Sequence, residues 1–89
     1  MADNLNQILG LVHALEHNAQ NTALRLTPMV GEIADLMEQT ANVLEVQHGR
    51  GRTITNYLAL AAETLGGVVT YLRTASDEAA KAADDLMGL

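Results

Sequence analysis

The sequence predicts an all-α protein built as an antiparallel helical hairpin, and three observations lead there. Aromatic residues are confined to Tyr57 and Tyr71, while alanine and leucine prevail, the composition of helices packed closely through small side chains. Apolar residues recur in steps of three and four along both halves of the chain. A glycine-containing stretch, His48 to Arg52, breaks that rhythm near the middle.

The first helix is expected over about residues 3–47. With Leu5 as position a of a heptad, the a positions read Leu5, Val12, Ala19, Leu26, Ile33, Thr40, and the d positions Ile8, Leu15, Thr22, Met29, Leu36, Val43. Leu9, Ala23, Val30, Met37 and Leu44 at e widen this seam to the three-in-seven stripe of a helix inside a bundle. Thr27-Pro28 is also a good N-cap and first-turn pair, which would split the segment in two. The heptad phase runs straight across Pro28, so one long helix kinked near that residue is the favoured reading.

Residues 48–52 form the expected turn, with Gly49 as the left-handed residue that closes the first helix and Thr53 as cap of the next. The second helix, over about residues 53–87, carries the stripe Ile54, Leu58, Ala61, Leu65, Val68, Leu72, Ala75, Ala79, Ala82, Leu86. Two antiparallel helices touch along one line, so stripes this wide leave apolar surface for further helices. The expected unit is a four-helix bundle of two hairpins, either two copies of this chain or this chain with a related partner. Its interaction seam is Leu5, Ile8, Val12, Leu15, Leu26, Ile33, Leu36, Ile54, Leu58, Leu65, Val68, Leu72 and Leu86.

Composition points the same way. Eighty-nine residues make a single domain that struggles to bury enough apolar surface alone, and there is no cysteine to staple it. Three histidines without cysteine make a structural zinc improbable, which leaves association as the stabiliser. A net charge of −6 is the wrong sign for nucleic acid or an anionic membrane. No apolar run reaches the roughly 20 residues of a membrane span, so membrane insertion is not expected. The N-terminal "MADNLNQILG" lacks the features of a cleaved signal peptide, so synthesis is expected in the cytoplasm, and any export by a route without one.

Three stretches invite a chemical reading. "HALEH", residues 13–17, matches the H-x-x-E-H signature of a zinc peptidase class, and a metal-dependent hydrolase using His13, Glu16 and His17 is one alternative. In the heptad, however, His13 falls at b and His17 at f, on the solvent side, and a catalytic zinc needs a third protein ligand and a dry cleft. No metal, cofactor or catalytic residue is assigned. His48, Arg50 and Arg52 make a basic tip, a partner-contact candidate weighed against ordinary helix-end charges on a solvated turn. Asp77, Glu78, Asp84 and Asp85 make a charged face on the terminal helix, a candidate for docking by another protein; neighbouring carboxylates diverge by about 100° and do not converge on a cation. Neither a G-x-S-x-G motif nor a phosphate loop is present, and an enzyme is not expected.

The layout resembles the small helical-hairpin proteins of type VII secretion systems, the ESAT-like or WXG-motif superfamily. It looks closest to the EspC-like secretion-associated proteins, which lack the tryptophan motif. The residues that carry the resemblance are His48-Gly49 at the turn, Tyr57-Leu58 early in the second helix, and "DEAAKAADDL" from Asp77 to Leu86. In place of Trp-x-Gly the chain has Gln47-His48-Gly49, and four positions after Tyr57 and Tyr71 stand Ala61 and Ala75, not the family's acidic residue. The resemblance implies a dimer, often with a paired family member, recognised at its C-terminal end by a secretion ATPase. It also implies export of the folded protein to the cell envelope or beyond. A cytoplasmic homodimeric four-helix adaptor is the other reading the residues leave open.

Overall fold

The computed structural model describes residues 2–45 and 49–88, and they are all helical apart from the terminal turn at Gly88. Helix α1 spans Ala2–Thr40, a π-helical turn spans Ala41–Glu45, and helix α2 spans Gly49–Met87. The two long helices form a hairpin. α1 runs through Pro28 without a break, so the split into two helices does not occur. Pro28 has no N–H to give the carbonyl of Leu24, but it stands at c, opposite the seam, and is exposed. The bond is lost on the wet side of the helix, where water satisfies the carbonyl.

Four of the five residues expected in the turn are helical. Gly49 to Arg52 already belong to α2, and no described glycine has a positive φ, so Gly49 does not act as a left-handed cap and Thr53 stands a turn inside the helix. His48 lies outside the described residues.

The chain divides into two compact units, Met1–Leu24 with Val69–Leu89, and Arg25–Val68. In the first, the start of α1 packs against the end of α2 through rows that step by four and three. Leu5, Leu9, Val12, Glu16, Ala19 and Ala23 face Val69, Leu72, Ser76, Ala79, Ala83 and Leu86, all buried or half-buried. Among the described residues only small or medium side chains are buried: Ala19, Ala23, Val69, Ser76, Ala79 and Ala83. Ser76 Oγ donates a 3.0 Å hydrogen bond to the Glu16 carbonyl across the pair, so the one buried polar side chain among the described residues is satisfied. In the second unit the corresponding rows are Leu26, Val30, Ile33, Met37 and Thr40 on α1, and Gly51, Thr55, Leu58, Ala62 and Leu65 on α2.

Thr22, Thr40, Thr55 and Thr74 each return their hydroxyl to the carbonyl four residues back, at 2.8–3.0 Å, which satisfies the hydroxyl within its own helix. Two substitutions test the packing. Ala23 is 1% exposed, so Ala23→Leu forces extra carbons between the helices and should cost about 1–3 kcal/mol by urea unfolding. Gly31 is exposed and a Cβ there meets nothing within 4 Å, so Gly31→Ala should stabilise by about 0.5–1 kcal/mol.

Candidate interaction surface

The thirteen residues expected to form one seam divide between two. Leu5, Val12, Leu26, Ile33, Leu58, Leu65, Leu72 and Leu86 lie half-buried in the rows between the helices, while Ile8, Leu15, Leu36, Ile54 and Val68 are exposed. On α1 the hairpin uses positions a and e, not a and d, and the d row is left open: Ile8 is 46% exposed and Leu15 57%. On α2 the enclosed row shifts by one residue at alternate steps, from Ile54, Ala61, Val68, Ala75 and Ala82 to Thr55, Ala62, Val69, Ser76 and Ala83.

Both open rows fall on the same side of the hairpin pair. Viewed down either helix from its N-terminus, the open row lies about 75–80° anticlockwise of the line of contact, as 100° per residue requires. The helices run antiparallel in each unit, so the two are viewed from opposite ends and equal rotations turn both rows to one face. The groove of the first unit confirms this sense. Its lining residues Glu16, Gln20, Leu24, Arg73, Ser76 and Asp77 all lie clockwise of the contact line and share the opposite face.

In the first unit this open face carries Ile8, Leu11 and Leu15 of α1 beside Tyr71, Ala75 and Ala82 of α2; in the second, Met29 and Leu36 beside Ile54, Tyr57, Ala61 and Val68. Among the described residues fourteen large hydrophobic side chains stand exposed, and nine of them lie on the open faces of the two units, which makes the exposure within each unit directional. Tyr57 and Tyr71, at 69% and 77% exposed, flank the row on α2. Tyrosine at the rim of an apolar strip suits a surface that is half covered by a partner, since its ring packs while its hydroxyl stays wet. Periodicity alone did not separate these rows; the small residues Ala19, Ala23, Ala79 and Ala83 were the available sign of where the helices come closest.

The other candidates are placed apart from this face or at its edges. His13 and His17 are exposed, Glu16 is half-buried, and His13 Nδ1 lies 3.7 Å from Glu16 Oε2, too far for a hydrogen bond. Among the described residues no three histidine, aspartate or glutamate side chains come together as a metal site. Arg50 and Arg52 are exposed in the first turn of α2. Asp77, Glu78, Asp84 and Asp85 are exposed too, and Glu78 Oε1 accepts a 3.1 Å hydrogen bond from Lys81. Among the described residues no helix is long and apolar enough to cross a membrane. No family model, curated protein or solved structure matches this chain.

Proposed function

We propose that this chain is a non-enzymatic interaction module whose hairpin lays its open apolar face on a second helical hairpin, its own copy or a related one, to make a four-helix bundle. The observation that carries the reading is surface. The chain exposes 6560 Å², against about 5,000 Å² for a compact folded monomer of its mass. The excess of about 1,500 Å² per chain corresponds to roughly 3,000 Å² for a pair, within the range of obligate dimers. Its concentration on one face gives the excess a direction, and the small residues at the seam make a lone hairpin a poor shelter for its larger side chains.

In the cell, this module serves a type VII secretion system, as a secreted small protein or as the partner of one. Support for that role is the resemblance of the turn, the Tyr57-Leu58 pair and the Asp77–Leu86 stretch to the EspC-like proteins, together with the hairpin architecture that such proteins share. Arg50 and Arg52 at one end of α2, and Asp77, Glu78, Asp84 and Asp85 at the other, are its candidate contacts with the export machinery.

Sedimentation equilibrium of the purified chain is expected to give a dimer, or a poorly folded species that gains helicity when its partner is added. A well-folded monomer at tens of micromolar overturns the proposal. Leu15→Glu with Leu36→Glu, both on the open row, should abolish association while leaving the hairpin seam alone, because each copy then buries unpaired carboxylates at a cost of several kcal/mol. His13→Ala with His17→Ala should change neither association nor export. Removing the secretion ATPase from the native host should empty the culture filtrate of the protein; an unchanged filtrate counts against the secretion role and leaves the adaptor reading.

A further inference from the structure

The two histidines of HALEH lie one turn apart on α1, and a pair at this spacing is a chelate whether or not a catalytic site surrounds it. Residues four apart bring their Cβ atoms to about 5–6 Å on one face of a helix. Helical side chains lean toward the N-terminus, so the His17 ring is carried over the turn that holds His13. The residues three before each histidine are Gly10 and Ala14, which leave both rings room to turn; a Cβ added at Gly10 meets nothing within 4 Å. Both histidines are exposed and open to an ion from solution.

Glu16 adds a second observation. His13 Nδ1 lies 3.7 Å from Glu16 Oε2, and a small turn of the ring closes that gap to a hydrogen bond. The ring nitrogen that faces a carboxylate is the one that keeps its proton, which leaves the Nε2 lone pair for a metal. Metal-bound histidines are commonly backed in this way by a carboxylate, which fixes the tautomer and makes the imidazole a stronger ligand. The Glu16 side chain is half-buried at the groove that Arg73 and Asp77 also line, so it backs the ring from the protein side.

We infer that His13 and His17 form a two-imidazole clamp for a divalent transition ion of the nickel, copper or zinc kind, and that the ion braces the turn of α1 that keys the two helices of the first unit. Imidazole selects these ions over magnesium or calcium, which prefer oxygen. Among the described residues no third side chain joins the pair, so water fills the remaining positions and the ion is a clamp, not a catalyst. An unfolded chain does not hold the two rings one above the other, so the ion binds the folded helix in preference and stabilises it. Within the clamped turn lies Glu16, whose carbonyl accepts the Ser76 hydroxyl at 3.0 Å. Every residue involved belongs to one chain and to its first unit, so the clamp does not depend on the pairing proposed above.

Nickel chloride titrated calorimetrically into the full chain should bind as a single ion per chain. With nickel at about a hundred times its Kd, the folding constant should rise about 100-fold, read as a higher urea midpoint at fixed protein concentration. The same concentration of magnesium should leave the midpoint where it was. Exchanging the neighbours, His17→Asn with Asn18→His, keeps the composition but moves the second ring to about 140° round the helix from His13. This variant should lose about 100-fold in nickel affinity, together with the midpoint shift, because the chelate is gone. Glu16→Gln keeps the carbonyl that Ser76 uses and should weaken nickel about tenfold. Absence of stoichiometric binding, an equal response to magnesium, or undiminished binding by the exchanged variant refutes the clamp. Nickel binding without a change in the urea midpoint refutes the brace.

Discussion

Close approach of two helices through alanine is the constraint from which the rest of this molecule follows. Ala19 and Ala23 on α1, with Ala79 and Ala83 on α2, leave no room for a leucine between the backbones of the first unit. Close approach brings dispersion contacts between many backbone and Cβ atoms, each worth only about 0.1–0.2 kcal/mol, in place of a few large buried side chains. The consequence is a seam that is tight but narrow. Among the described residues no large side chain is fully enclosed, so the leucines, isoleucines and tyrosines that supply most hydrophobic free energy in small proteins stand at its margins. A hairpin made this way leaves its larger apolar side chains on an open row, which is the surface the proposed pairing would use.

The Ser76 hydroxyl shows how the narrow seam is kept in register. An alanine ladder slides easily, because one small residue resembles the next. A single hydroxyl that must find the Glu16 carbonyl at 3.0 Å penalises a slip of one turn, which would leave a buried donor without a partner. Glu16 contributes its backbone while its side chain, half-buried at the edge of the groove with Arg73 and Asp77, stays near water. The same residue supplied the acidic member of the HALEH motif, so the motif's glutamate has a structural place in the seam that requires no metal.

The hairpin, its two helices and the continuity through Pro28 were legible because they rest on strong signals: a sustained period, one interruption, and a heptad phase that does not reset. Register was not legible on α2, and the reason is local. At each step the two candidate residues are neighbours of nearly equal character: Ala61 or Ala62, Val68 or Val69, Ala75 or Ser76, Ala82 or Ala83. Both phases share Leu58, Leu65, Leu72, Ala79 and Leu86, so apolarity cannot choose between them, and packing against α1 does. The turn was misplaced for a related reason. Gly49 and Gly51 permit a left-handed cap, but permission is not a requirement, and here both take helical geometry. Of the open-face residues, Ile8, Leu15, Met29, Leu36, Ile54, Ala61, Val68, Ala75 and Ala82 were named from the sequence's periodicity, whereas Leu11, Tyr57 and Tyr71 fall outside that period, and the separation of this face from the hairpin's own seam needed coordinates.

A chain with net charge −6 that paired with itself, as one form of the proposed pairing has it, would have to reconcile two acidic surfaces. Screening limits the penalty: at physiological salt the Debye length is about 8 Å, so most carboxylates on one copy do not sense those on the other. What remains is short-range, and there the few basic residues count by position. Arg50 and Arg52 occupy the first turn of α2, where they oppose the helix dipole at a small cost to the isolated helix. In the pairing proposed above, apolar area would set how tightly two hairpins hold, and basic residues placed this way would favour a partner that brings acidic residues to the same end.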